Sequence, residues 1–253
     1  ASQMIDKIGG FSERGSREIN QDRILYLSDE KKGLFIVADG VGGWLHSERA
    51  SEMICSSFRA WWDEKKSALE HSEFEDDVEE IRNCLQRLNR DIYGATDGRK
   101  DSASTVTLLW IKKGCYALFW AGDSRCYQIR QHWFCPKMDQ MTIDDVWENE
   151  SKQRELPEEV LRKQPEYGKL IRAVGAGPEL SCSIRTGLLE GRTLFLLCSD
   201  GIYKYVEDSL LKKAVRKFYR KKSEADFWGE LQSRIEQKEA PDNFSLVYVN
   251  TEN

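Results

Sequence analysis

The chain has 253 residues, 40% of them hydrophobic and including eight Trp and ten Phe, which suits one large domain or two small ones with a sizeable core. Its formal charge of −5 argues against a nucleic-acid binder, which carries a basic footprint, and no apolar stretch approaches the roughly 20 residues that span a bilayer. Seven scattered cysteines with no Cys-x2-Cys pair, and an opening ASQMIDKIGG without a charged-then-apolar signal pattern, make a cytoplasmic protein with reduced thiols the expectation and speak against a disulfide framework or a zinc site.

Residues 7–11, 23–28 and 33–38 read as strands, the last through the continuous apolar run Leu34 to Ala38, as in a strand covered on both faces. Residues 47–62 read as a helix with Ala50, Ile54, Phe58 and Trp61 on one face. A second helix carries Phe74, Val78, Ile81, Leu85, Leu88 and Ile92 at alternating steps of four and three, with Gly94 and Gly98 marking its end. Strands follow near 104–111, 115–121 and 125–130, the first two joined as a hairpin by Lys112-Lys113-Gly114. Residues 138–168 are polar, Glu-rich and broken by Pro157 and Pro165, and read as a mobile, partly helical insert. Strands resume at 169–174, 181–187 and 193–198, helices at 207–219 and 223–237, and a last strand at 243–249. Strand blocks separated by helix pairs argue for α+β layers rather than repeated βαβ units.

Four aspartates stand in short Gly- or Ser-containing strings at the ends of apolar runs. Asp39 follows LFIVA, Asp123 follows YALFWAG, Asp200 follows TLFLLCS, and Asp242 precedes FSLVYV. Carboxylates at strand ends can converge at one edge of a sheet. They repel unless something positive lies between them, and hard divalent cations with oxygen ligands are the usual answer, so a Mg²⁺/Mn²⁺ centre is the leading expectation.

Read in order, RGSREINQDRI, LFIVADGVGG, ASTVTLL, FWAGDSRCY, LIRAVGAG, FLLCSDGI and APDNFSLVYV resemble the metal-dependent serine/threonine protein phosphatases of type 2C, in their compact bacterial form, from about Gly10 to Val249. The resemblance implies an α-β-β-α layered sandwich: two antiparallel sheets face to face, flanked by the helix pairs at 47–97 and 207–237. It implies one phosphatase catalytic domain over 1–253, with the family's variable flap at about 138–168. Carried over residue by residue, Asp39 bridges two metal ions and the Gly40 carbonyl binds one of them. Asp200 and Asp242 complete the ligands of the other. Asp22 holds metal-bound water, Asp123 helps hold a third ion, and Arg17 binds the phosphate. The cofactors implied are two Mn²⁺ or Mg²⁺ ions, with the third through Asp123. Two such metals can share one water and lower its pKa, giving hydroxide for in-line attack on phosphorus. The implied partners are phosphorylated proteins, including a serine/threonine kinase, with no nucleic acid, no membrane and a monomeric state.

Several positions depart from the family pattern. Val41 stands where some relatives have a histidine proposed as general acid, Gln21 where many have Glu, and Asp145 where many have His; Trp44 and Ser47 also differ. Plainer readings exist for other residues. Arg17 could be a solvated turn arginine, Asp123 a turn cap, and His46 a helix-start histidine. Cys84 and Arg90 share the Cys-x5-Arg spacing of cysteine-dependent phosphatases, but inside a regular helix without glycine they read as packing. The basic run Lys212–Lys222 reads as a solvated helix face that could also dock an acidic partner. Beside the enzyme stand two alternatives: a pseudophosphatase that binds phosphoproteins without turnover, and a two-metal nuclease, which would need a basic groove.

Overall fold

A computed structural model describes residues 3–41, 46–95, 102–131, 136–221 and 224–253. One sheet contains, in spatial order, β1 (Met4–Glu13), β11 (Phe244–Glu252), β10 (Thr193–Cys198), β7 (Arg125–Arg130) and β8 (Lys137–Gln140). The other contains β2 (Asp22–Ser28), β3 (Lys32–Val41), β5 (Val106–Lys112), β6 (Cys115–Ala121) and β9 (Ser183–Leu188), with the two-residue β4 (Ala103–Ser104) on the end of β3. Each strand pair described is antiparallel.

The period-2 pattern of the strands explains the layering. In β3, Phe35 and Val37 meet Phe195, Leu197, Val247 and Val249 between the sheets, while Leu34, Ile36 and Ala38 face helices α1 (Ser47–Lys65) and α2 (Phe74–Ala95). Phe244, Leu246 and Tyr248 of β11 face the other way, against α5 (Asp208–Lys221) and α6 (Glu224–Gln237). Strands buried on both faces read as unbroken apolar runs, as β3 and β10 do. The four layers are the sandwich expected from the resemblance.

The β5–β6 hairpin turns through Lys113 (φ 51°) and Gly114 (φ 77°), two positive φ values that match the twist of the flanking strands. Lys112 at its base is buried and gives its ammonium to Asp77 Oδ2 (2.7 Å), the Ser72 carbonyl (2.7 Å) and Ser72 Oγ (2.8 Å), which fixes the start of α2 to sheet edge.

Two sequence expectations are corrected. Residues 138–140 belong to strand β8, paired with β7, rather than to the insert. The span 169–174 is not a strand: among the described residues it makes isolated bridges, Leu170 with Val146 and Val174 with Ser104. Helix α2 ends at Ala95, next to Gly94 as expected, and Gly98 lies outside the described residues. Within the insert, helical structure is limited to a 3₁₀ turn at Trp147–Asn149 and the four-residue α3 (Glu158–Leu161), while Val146 and Leu161 are buried. Among the described residues, no helix is long and apolar enough to cross a membrane.

Candidate metal centre

Strand register gathers the acidic residues. Asp22 opens β2 and pairs across the ladder with Asp39, near the end of β3. In the facing sheet, Cys198 of β10 pairs with Leu246 of β11, so Asp200, two residues past one strand, and Asp242, two before the other, emerge at the same edge. Arg125 pairs with Cys198, which brings the β6–β7 turn and Asp123 to that edge as well. Five strings thus end at one rim of the sandwich. A hydrogen bond from Ser245 Oγ to Asp22 Oδ2 (2.7 Å) ties the two sheets together there.

The backbone around these residues is held closely. Asp39 accepts and donates across to Thr105: its N–H bonds Thr105 Oγ1 (3.0 Å) and its carbonyl takes the Thr105 N–H (2.9 Å). Gly40 is buried and gives its N–H to the Gln21 carbonyl (3.0 Å). Asp200 begins the short helix α4 (Asp200–Tyr203). Beside it, a Cβ on Gly201 would sit 1.9 Å from the Asn243 carbonyl oxygen, so only glycine lets α4 lie this close to the residues before β11.

The electrostatics are those of buried, crowded carboxyls. Burial, then the charges of Asp22 and Asp200, push the Asp39 carboxyl well above the usual range. Burial also raises Asp22, to about 6, despite hydrogen bonds from Ser245 and Asp39 that act the other way. Asp123 rises to about 6 through burial and then Asp200. Asp242 rises through burial and Asp200, offset in part by Arg17. Asp39 stands against both Asp22 and Asp200, whose charges add to its rise.

Among the described residues, no three His, Cys, Asp or Glu side chains close around a single point as a finished cation site. The carboxyls meet pairwise about Asp39 instead. Their chemistry nevertheless fits a hard divalent cation. The donors are all oxygen, and the buried Asp22 Oδ1 and Asp200 Oδ1 have no hydrogen-bond partner. A cation already stands beside them: Lys204 Nζ is 2.8 Å from Asp200 Oδ2. Burial would lower the Lys204 pKa, but Asp200, Asp123 and Asp242 outweigh it and raise the pKa.

Arg17 sits at the rim with its side chain 59% exposed, Nη2 3.5 Å from Asp242 Oδ1 and Nε donating to the Pro241 carbonyl at 3.2 Å. Its loop is docked on the residues before β11. Asn243 Nδ2 donates to the Arg14 carbonyl (2.7 Å) and the Ile19 carbonyl (3.0 Å), while its Oδ1 accepts the Gln21 N–H (2.9 Å). Gly15 (φ 66°) packs where a Cβ would lie 2.4 Å from the Asp242 carbonyl oxygen. The sequence reading gives no role to Asn243, Ser245, Tyr203 or Lys204. The available signals were adjacency, Asn243 beside Asp242, and the i+3 and i+4 spacing of Tyr203 and Lys204 from Asp200 on one helical turn.

The remaining sequence candidates fall away from this rim or show plainer roles. His46 is exposed, and its carbonyl accepts the Arg49 N–H and the Ser102 hydroxyl. Cys84 lies within α2, half-buried against the core, with Arg87 Nη2 3.2 Å from its sulfur. Val41 is half-buried at the end of β3, paired with Ala103. In the basic run, Lys217 and Lys213 reach Glu230 of α6. Gly42, Gly43 and Trp44, the Ser47 side chain, Lys222 and the Lys221 side chain lie outside what the structure describes.

A family model described as protein phosphatase 2C matches residues 10–245. The chain belongs to that family. It is 27% identical over 240 residues to a putative protein phosphatase of Mycoplasma genitalium, covering 85% of this chain and 88% of that protein. It is 24% identical over 210 residues to the serine/threonine phosphatase stp of Listeria monocytogenes, covering 78% and 81%. The solved catalytic domain of the serine/threonine phosphatase PstP, in complex with two manganese ions, superposes with a TM-score of 0.75 at 22% identity over 99% of this chain and 100% of that one, which supports the fold. The 2C phosphatase sandwich expected from the motifs is therefore the fold of this chain.

Proposed function

We propose that this 2C-family chain hydrolyses phosphoserine and phosphothreonine in cytoplasmic proteins, with a serine/threonine kinase among its substrates. One observation carries the reading. Asp22, Asp39, Asp200 and Asp242 meet at one rim of the sandwich, with two buried carboxylate oxygens unpartnered and the Arg17 guanidinium beside them.

In this reading Asp39, Asp22, Asp200, Asp242 and the Gly40 carbonyl would hold two Mn²⁺ or Mg²⁺ ions, and Asp123 would contribute to a third. Bound there, such ions would neutralise charge and supply activated water for attack on phosphorus. The protein's own groups do the rest. Arg17 exchanges its contact with Asp242 for the phosphoryl oxygens, which its planar fork can grip two at a time and hold in line. Its exposed rim position suits a phosphate carried on a protein surface rather than one drawn into a deep cavity. Water oxygen adds to phosphorus, the P–O bond to the side chain breaks, and the serine or threonine oxygen takes a proton. Val41 has none to give, so that proton comes from water or from another group at the rim. A phosphoprotein-binding module without turnover is not favoured, since it would have no use for four retained carboxylates, and a nuclease would need a basic rim where this one is acidic.

The test uses the purified chain, an aryl phosphate and a phosphothreonine peptide, with Mn²⁺ and with chelator. Turnover should require the metal and fall at least about a hundredfold in Asp39→Asn and Asp242→Asn, a loss of roughly 2.7 kcal/mol or more of transition-state stabilisation. Undiminished turnover in those variants, or in chelator, would remove the metal mechanism.

A further inference from the structure

The turn carrying Asp123 is fastened to the root of the insert on both sides. Gly122 gives its N–H to Asp145 Oδ2 (2.9 Å), and its carbonyl accepts the Asp145 N–H (3.0 Å). Arg125 forks onto Asp144, with Nε 3.0 Å from Oδ1 and Nη2 2.8 Å from Oδ2. The guanidinium carbon lies 3.6 Å from the centroid of the Tyr203 ring, a stacked cation–π contact. The Tyr203 hydroxyl then donates to the carbonyl of Asp123 at 2.7 Å. Tyr203 closes the helical turn that Asp200 opens.

These contacts form one unbroken chain from the insert to two acidic residues of the rim. Each link is directional. The Arg125–Asp144 fork fixes the plane of the guanidinium, that plane fixes the Tyr203 ring beneath it, and the ring aims one hydroxyl at one backbone carbonyl. Packing alone would need a ring at position 203 but no hydroxyl. We infer that Asp144, Arg125 and Tyr203 are positioning residues that set the place of Asp123, so that cation affinity on the Asp123 side of the centre depends on the root of the insert being seated. The inference rests on the metal reading proposed above and extends it to regulation of the same site. An event that lifts Asp144 away would loosen Asp123 while leaving Asp39 and Asp22, which hang from β3 and β2, undisturbed.

Mn²⁺ binding to the purified chain tests this, followed by the paramagnetic resonance signal of free Mn²⁺ and by thermal unfolding with and without metal. Asp123→Asn defines which class of sites involves Asp123. Tyr203→Phe keeps the ring and removes only the hydroxyl, and it should weaken that class about three- to tenfold, with tighter sites unchanged and metal-free melting lowered by no more than one hydrogen bond's worth. Arg125→Lys, which loses the fork and the stack, should weaken the same class more. In the Asp123→Asn background, Tyr203→Phe should add nothing. A Tyr203→Phe isotherm that superposes on wild type, an equal loss from every site, or the absence of any class removed by Asp123→Asn would overturn the inference. Failure of the wild-type chain to bind Mn²⁺ at all would overturn it together with the metal reading, whereas normal wild-type binding with an unaffected Tyr203→Phe variant removes this inference alone.

Discussion

Asp22 is 1% exposed and its carboxyl is raised from 3.8 to about 6, chiefly by burial. That makes the metal-free protein's stability depend on pH in a way that one substitution can isolate. An unfolded aspartate releases its proton near pH 3.9. The folded residue keeps it to about pH 6, so between those values the folded state binds more protons, and stability falls as pH rises. The contribution is fully present below about pH 4 and is lost as pH passes about 6. About two units of displacement correspond to about 3 kcal/mol at neutral pH. Asp22→Asn removes the charge and keeps an oxygen for the Ser245 hydroxyl. In chelator, the advantage of the variant over wild type should grow by about 2 kcal/mol between pH 4.5 and 7.5, since much of the window opens between them. Because Asp22 and Asp39 touch, the transition belongs to the pair. Urea unfolding at the two pH values measures the change. Saturating Mn²⁺ should shrink the variant's advantage at pH 7.5, because wild type gains about 2.7 kcal/mol at a hundred times its dissociation constant and the variant gains less. A variant-minus-wild-type difference that stays flat with pH in chelator would refute the argument that buried, uncompensated charge strains this site.

Arg17→Ala should lower kcat/KM for a phosphopeptide by about ten- to a hundredfold, the worth of a charged hydrogen bond, mainly through KM. Its melting temperature should hold, because the side chain is 59% exposed; a stability loss with unchanged kinetics would point to a merely structural arginine. Asn243→Ala removes three of the hydrogen bonds that hold residues 14–21 and should cost about 3 kcal/mol in urea unfolding; a cost below about 1 kcal/mol would mean the other contacts of the Arg17 loop suffice to hold it. Lys204→Met takes away the cation beside Asp200 and should tighten Mn²⁺ binding by up to about fivefold, the limit for a solvent-exposed ion pair, whereas weaker binding by titration would show that Lys204 helps rather than competes.

How much of this was legible in the sequence follows from where each interaction is recorded. A strand covered on both faces must be apolar throughout, so β3 and β10 announce themselves, and α2 shows its buried stripe in the steps from Ile81 to Ile92. Among the described residues the edge strand β8 pairs only with β7, so KMDQ carries no comparable pattern and merges into the polar insert. The opposite error arises at LIRAVG, where apolar residues bury against neighbours through isolated bridges without a ladder. At the site, the ordered strings contain the aspartates because strand ends bring them to one rim, and Asp22 opposite Asp39 is a consequence of register that no single string displays. What the strings cannot contain is the support. Asn243 holds carbonyls more than 200 residues away in the chain, and Tyr203 reaches Asp123 across 80. Such residues look like ordinary turn or helix residues, because their selectivity lies in geometry and not in type. The residues proposed as ligands must be carboxylates whatever the scaffold, and so the sequence advertises them; the groups that aim them need only one donor at one distance, which many residue types and many positions could supply. The chemistry of a 2C centre is therefore readable before its tuning is, and differences in metal affinity between related chains should be sought in contacts such as Arg125 on Tyr203 rather than in the aspartates themselves.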